Sequence, residues 1–268
     1  MERRSFIKSA VAAGALGTAL GSAQTPADPP SDRKQEFYQL RTYTLRTGPQ
    51  LALNQRYFHQ ALIPALNRLG IERVGTFKLD IGPETPTYYV LIPSTSSELL
   101  VNLDTRLGSD PEYIAGAAGF RDAPATAPAF VRTERTLLAA FSGWPHLTAA
   151  KPVADKLPNR IFQLRTYESA SQIAHAHKIQ MFNQAEIAIF QRAGLNPVFF
   201  ADTLYGTHMP CLTYMLTFTD VAELTVNWAK FAADPDWKEL SRTPGNTDPE
   251  LVSNITNLYL SPLESSQI

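Results

Sequence analysis

The pentapeptide Gln39-Leu40-Arg41-Thr42-Tyr43 recurs 124 residues later as Gln163-Leu164-Arg165-Thr166-Tyr167, and the same offset matches Phe58 with Phe182, Arg68 with Arg192 and Gly70 with Gly194. Self-similarity at so long a period points to two copies of one supersecondary unit rather than a solenoid of short repeats. With one inserted residue, Tyr89 aligns with Tyr214, Leu91 with Leu216 and Val101-Asn102 with Val226-Asn227, before Asp110-Pro111 and Asp234-Pro235 restore the first offset. The copies are expected over residues 36–143 and 159–263. Residues 144–158, with Pro145, Pro152 and Pro158, read as the linker between them.

Each copy opens on a β-type run rich in aromatics and threonine, 36–45 and 160–168. A helix follows. In the first copy Thr47 and Pro49 mark its start, Phe58, Leu62, Leu66 and Leu69 lie along one stripe, and Gly70 stands where a C-terminal cap belongs. Ser171, Phe182, Ile189 and Gly194 repeat that layout. Two β-type runs come next, then a second helix over 94–107 or 219–232, an Asp-Pro turn and a closing strand. The order βαββαβ is that of a ferredoxin-like unit, so the fold class is α+β with two tandem units.

Tandem copies that begin on a Leu-Arg-Thr-Tyr strand and reach Asp110-Pro111-Glu112-Tyr113 or Asp234-Pro235-Asp236-Trp237 resemble NIPSNAP domains. That family sits in the dimeric α/β-barrel superfamily, where two ferredoxin-like units pair their sheets into a barrel with helices outside. The resemblance implies an intramolecular barrel, either a monomeric pseudodimer or a homodimer of such chains. The superfamily includes haem-binding members and cofactor-independent oxygenases.

Composition narrows the function classes. Twenty-four Lys and Arg stand against 25 Asp and Glu, so no charge field exists to hold nucleic acid. Cys211 is the single cysteine, which excludes an internal disulfide and a cysteine-based zinc site. Arg3, Arg4, Phe6 and Lys8 precede an uncharged Ala/Gly-rich stretch too short to span a membrane, and the pattern resembles a bacterial twin-arginine export signal. Residues 1–23 are expected to be cleaved as the signal peptide and 24–35 to form a linker, leaving a periplasmic or secreted chain with no integral membrane span.

Alternation along a strand puts Gln39, Arg41 and Tyr43 on one face and Tyr38, Leu40 and Thr42 on the other. The more apolar face is expected against the helices. That leaves Gln39, Arg41 and Tyr43, with Gln163, Arg165 and Tyr167, for the barrel interior, where two guanidinium groups would cradle a small anionic or aromatic ligand. The competing reading pairs each arginine with a local carboxylate, Glu36, Glu134 or Glu168. His59, beside the apolar stripe, is a candidate general base or haem ligand, or else a packing residue. Glu186 replaces Leu62 on the stripe and is a candidate proton acceptor, or else a surface partner of Arg192 or Lys178. No metal-ligand motif occurs and no cofactor is evident, haem being the one group the superfamily leaves open. Three functions remain: small-molecule binding, a cofactor-independent oxygenase or isomerase, and a structural or protein-interaction module. An interior packed with Phe37, Phe77, Phe199 and Phe200 would weigh against the first two.

Overall fold

The computed structural model describes residues 34–149 and 151–268; the signal residues Arg3, Arg4, Phe6 and Lys8 lie outside the described residues. The described residues form eight strands: β1 (Phe37–Thr44), β2 (Gly75–Ile81), β3 (Thr87–Ser94), β4 (Arg132–Ala140), β5 (Ile161–Glu168), β6 (Asn196–Tyr205), β7 (Cys211–Phe218) and β8 (Asn254–Pro262). They close into one barrel in the order β1-β3-β2-β8-β5-β7-β6-β4. Neighbouring strands are antiparallel, and the halves meet at two seams, β2 with β8 and β4 with β6. Closure leaves no unpaired sheet edge.

Helices cover the outside. In the first half α1 (Pro49–Tyr57) passes through a π-helical turn, Phe58–Leu62, into α2 (Ile63–Arg68); α3 (Ser97–Val101), α4 (Leu103–Leu107) and α5 (Pro111–Arg121) follow. A short α6 (Lys151–Ala154) precedes the second half. There α7 (Gln172–Met181) passes through the π-helical turn Phe182–Glu186 into α8 (Ile187–Arg192), with α9 (Val221–Ala233), α10 (Pro235–Leu240) and α11 (Asp248–Leu251) after it. The glycine caps are as expected. Gly70 at φ +77° donates to Asn67 while the N–H of Ile71 donates to Leu66, and Gly194 at φ +80° repeats the arrangement with Gln191 and Phe190.

Two expectations are corrected. The register pairs Arg41 with Val90 and Arg165 with Tyr214, so the offset stays at 124 and no residue is inserted before β7. The match of Tyr89 to Tyr214 was a coincidence of neighbouring tyrosines, and the two lie on opposite faces of their sheets. Asp110-Pro111 and Asp234-Pro235 are helix starts rather than turns, because each Asp side chain accepts from two backbone N–H groups, at 2.9 and 3.1 Å in the first case. The stretch between the halves packs on the barrel. Leu147 and Val153 are buried in the barrel core, and the Leu147 N–H donates to Glu36 Oε2 at 2.6 Å.

Three apolar clusters hold the layers together. Tyr38, Phe77, Phe162 and Phe199 fill the barrel interior, with Tyr38 and Phe199 rings 5.0 Å apart and Phe77 and Phe162 rings 4.7 Å apart. The other two lie between sheet and helices, around Phe58 in the first half and around Phe182, Phe190 and Phe200 in the second.

Candidate functional site

The Gln-x-Arg-x-Tyr face points outward, under the helices, and this reverses the expectation for the barrel interior. Tyr38 and Leu40 belong to the interior cluster, whereas Tyr43 packs on Phe58 of the π-helical turn, ring centroids 5.1 Å apart. The two arginines therefore do not share a cavity; each serves its own half. Of the four phenylalanines weighed for the interior, Phe77 and Phe199 lie inside, while Phe37 and Phe200 lie on the helix side.

In the first half the motif anchors a network. Arg41 is buried, and its Nε donates to Gln39 Oε1 at 2.6 Å while its Nη2 donates to Asp104 at 2.9 Å. Gln39 Nε2 in turn donates to the Leu100 carbonyl of α3 at 2.7 Å. Asp104 on α4 also takes Arg135 of β4 at 2.5 Å, so two guanidinium groups share one carboxylate. The partner is thus none of Glu36, Glu134 and Glu168. Burial works against the Arg41 charge, but Tyr43, Asp104 and Tyr57 outweigh it and raise the guanidinium pKa.

A cavity of about 350 Å³ opens over this network. Its wall brings Arg41, Asp104 and Arg135 together with Tyr43, Tyr57 and Tyr113, and Phe120 stacks on Tyr57 at 3.8 Å. The Tyr57 and Tyr113 hydroxyls are 3.0 Å apart, and burial, then Tyr43 and Tyr113, push the Tyr57 phenol well above its usual range. Arg121 and Glu134 complete the charged lining, leaving three guanidinium groups to two carboxylates. The volume lies at the lower end of the range for small-molecule sites, and a net positive, aromatic wall suits an anion carrying a flat ring.

In the second half the equivalent space is filled. Trp228 of α9 stands 124 residues after Asp104 and lies over Arg165, 4.7 Å from guanidinium carbon to ring centroid. Its Nε1 donates to Gln163 Oε1 at 2.7 Å, while Gln163 Nε2 donates to Asn257 at 2.9 Å. Arg165 Nη2 donates to the Tyr167 hydroxyl at 3.1 Å, and Tyr167 meets Tyr214 hydroxyl to hydroxyl at 3.0 Å. Beside them Lys178 and Glu186 form a fully buried ion pair at 3.1 Å. Burial raises the Glu186 carboxyl pKa, with Lys178 offsetting part of the shift. Glu186 is therefore a core residue rather than a surface one; Lys178 is its partner, and Arg192 instead holds Asp234 and Asp236.

His59 lies apart. It is exposed on the π-helical turn, in a separate depression with Gln55, Lys78 and Glu264, and does not reach Arg41. Those polar neighbours do not form the apolar slot that a haem needs. His175 of α7 pairs with Asp202 of β6 at 2.7 Å, and His177 with Asn246 at 2.8 Å. Among the described residues no cluster of three or more His, Cys, Asp or Glu is placed to hold a metal, and no helix is long and apolar enough to cross a membrane. The sequence reading missed Asp104, Arg135 and Tyr113; an unbroken 124-residue offset would have flagged Asp104 through its counterpart Trp228.

The closed eight-stranded sheet of two like halves with helices outside defines a mixed α/β fold of the dimeric α/β-barrel type. Residues 162–267 match the NIPSNAP family model. No curated protein matches the chain. Among solved structures, a candidate monooxygenase from Lactobacillus acidophilus NCFM is 8% identical over 85% of this chain and 94% of its own, with a TM-score of 0.57. An anthrone oxidase-like protein is also 8% identical, over 87% of this chain and 93% of its own, with a TM-score of 0.51. A NIPSNAP-like domain protein from Burkholderia xenovorans is 20% identical over 40% of this chain and 87% of its own, with a TM-score of 0.35.

Proposed function

We propose that this protein binds a small anionic aromatic molecule in the cavity between the sheet and the helices of its first half. The observation that carries the reading is the shared carboxylate: Asp104 serves both Arg41 and Arg135, so the wall keeps an uncompensated positive charge beside the rings of Tyr43, Tyr57, Tyr113 and Phe120. A bound carboxylate or enolate would complete the second ion pair in a partly desolvated place, where charge-assisted hydrogen bonds are strongest. In the second half Trp228 and Lys178 occupy the corresponding space, which supports the first half as the binding half. The Arg3-Arg4 signal supports a role in the periplasm or outside the cell, reached by the twin-arginine route.

A second reading, a cofactor-independent oxygenase or isomerase, draws on the paired hydroxyls of Tyr57 and Tyr113 in the same wall and on the oxidase and monooxygenase names of the structural neighbours. Neither His59 nor Glu186 lies in that cavity, so proton movement would fall to the tyrosines.

The test is calorimetric titration of the full chain with 4-methylbenzoate. Saturable binding that weakens about tenfold or more in both Arg41→Leu and Arg135→Leu, and is unchanged in Arg165→Leu, is the expected result. Binding indifferent to Arg41 and Arg135 would overturn it.

A further inference from the structure

The barrel has a second opening that shares only Glu134 with the first cavity. At the end where β1, β2, β5 and β6 finish lies a cavity of about 450 Å³. Nine of its twenty lining residues are threonines, and seven of the eight strands supply at least one, so the wall is a band of hydroxyls around the mouth. Below it Leu40, Leu79, Leu164 and Leu258 form an apolar floor over the packed interior.

Part of the band is used by the protein itself, Thr87 donating to the Glu84 carbonyl at 2.7 Å and Thr166 pairing with Thr213 at 3.1 Å, but one hydroxyl is not. Thr203 is 3% exposed and lines the cavity; its Oγ1 has no nitrogen or oxygen partner among the described residues, and only the Cys211 thiol lies beside it. A buried hydroxyl left without a partner costs free energy that a ligand atom can recover. The wall also carries Tyr89, only 9% exposed, whose phenol is pushed up to about 12 by burial, then by Glu134 and Glu84, and so stays a neutral donor.

Charge at the rim argues against an anion. Arg132 is held between Glu84 and Glu134, and His208 faces Glu168 at 3.6 Å, which leaves no free cation over the opening among the described residues. The wall beneath is uncharged.

We propose that the barrel mouth is a second ligand site, for an uncharged molecule of the phenol or alcohol class that rests an apolar body on the leucine floor and turns its oxygen to Thr203 and its neighbours. Threonine hydroxyls donate and accept, so either a hydroxyl or a carbonyl oxygen is served there, and the threonine methyl groups continue the apolar surface upward.

The experiment uses the full chain labelled with carbon-13 at threonine methyls, titrated in parallel with p-cresol and with 4-methylbenzoate, which share a ring and differ in charge. p-Cresol should move the Thr166, Thr203 and Thr213 signals saturably and bind there about tenfold or more tightly than 4-methylbenzoate. Thr203→Val, which keeps the shape and removes the hydroxyl, should weaken p-cresol by on the order of tenfold. Arg41→Leu should leave these shifts intact, so failure of the first site is separable from failure of this one. The proposal falls if no mouth threonine responds to p-cresol at millimolar concentration, or if 4-methylbenzoate moves the same signals equally. The comparison of probes on the unmutated chain decides the matter even should Thr203→Val fold poorly.

Discussion

Asp104 and Trp228 hold the same position in the two halves, 124 residues apart, and each meets its own half's buried arginine: Asp104 as an ion pair at 2.9 Å, Trp228 as a ring at 4.7 Å. One place in the fold thus neutralises a guanidinium by charge in one copy and by a π-face in the other. The first solution leaves open space beside Arg41; the second fills it.

Removing the two groups should therefore cost different things. Asp104→Ala strips the carboxylate from Arg41 and Arg135, but Asp104 is half exposed, so solvent screening holds the loss to about 1–2 kcal/mol. Trp228→Ala leaves a void under α9 and releases Gln163, and should cost about 3 kcal/mol. Urea unfolding of the two variants checks the order.

Lys178 and Glu186 are buried together, where desolvation offsets much of their attraction. Glu186→Leu, which copies the residue at position 62, leaves the buried ammonium only the exposed Asp248 at 3.8 Å and should destabilise by about 3 kcal/mol. The double variant Lys178→Met, Glu186→Leu should return to within about 1 kcal/mol of the parent. A double variant no better than the single one would show that the pair is worth more than its isosteric apolar replacement.

Arg68 and Arg192 hold Asp110 and Asp234 below the usual aspartate range, mainly through the arginine hydrogen bonds. Such carboxylates bind protons less readily folded than unfolded. Their stabilisation is whole above the unfolded range, near about pH 4, and is lost as pH falls through the lower folded values. Asp110→Asn and Asp234→Asn should flatten the acid limb of Tm against pH and leave its slope near neutrality unchanged.

The helix-capping glycines offer a graded comparison. Both have positive φ, so alanine at either should cost about 1 kcal/mol. A Cβ at Gly70 would meet open space, whereas at Gly194 it would press on Asn227 at 3.3 Å. Gly194→Ala should melt at the lower temperature of the two.

The repeat, the strand order within each copy and both glycine caps are legible in the sequence because they rest on local chemistry: a left-handed cap needs glycine, and a duplicated strand announces itself. Which strand face turns inward is not. β1 is covered by side chains on one face and by helices on the other, and six of its eight residues, Tyr38 to Thr44 apart from the half-buried Thr42, are buried, so the two faces differ little. In such a strand alternation loses its contrast. The helices begun by Asp110 and Asp234 were readable in principle, since Asp followed by Pro at the first helical position is a cap signal, but the same dipeptide also suits a turn. The π-helical turns at Phe58–Leu62 and Phe182–Glu186 have no residue signature, although their recurrence at one offset shows that the fold uses them twice.

Both barrel seams, β2 with β8 and β4 with β6, join one half of the chain to the other. In a barrel made from two identical subunits every substitution appears twice, and a residue that improves one pocket must be tolerated in its mirror image. Covalent fusion lifts that obligation. Aspartate at 104 never has to coexist with aspartate at 228, and a cavity kept open on one side can be balanced by a tryptophan plug on the other, so a single gene can keep open space in one sister and solid packing in the other.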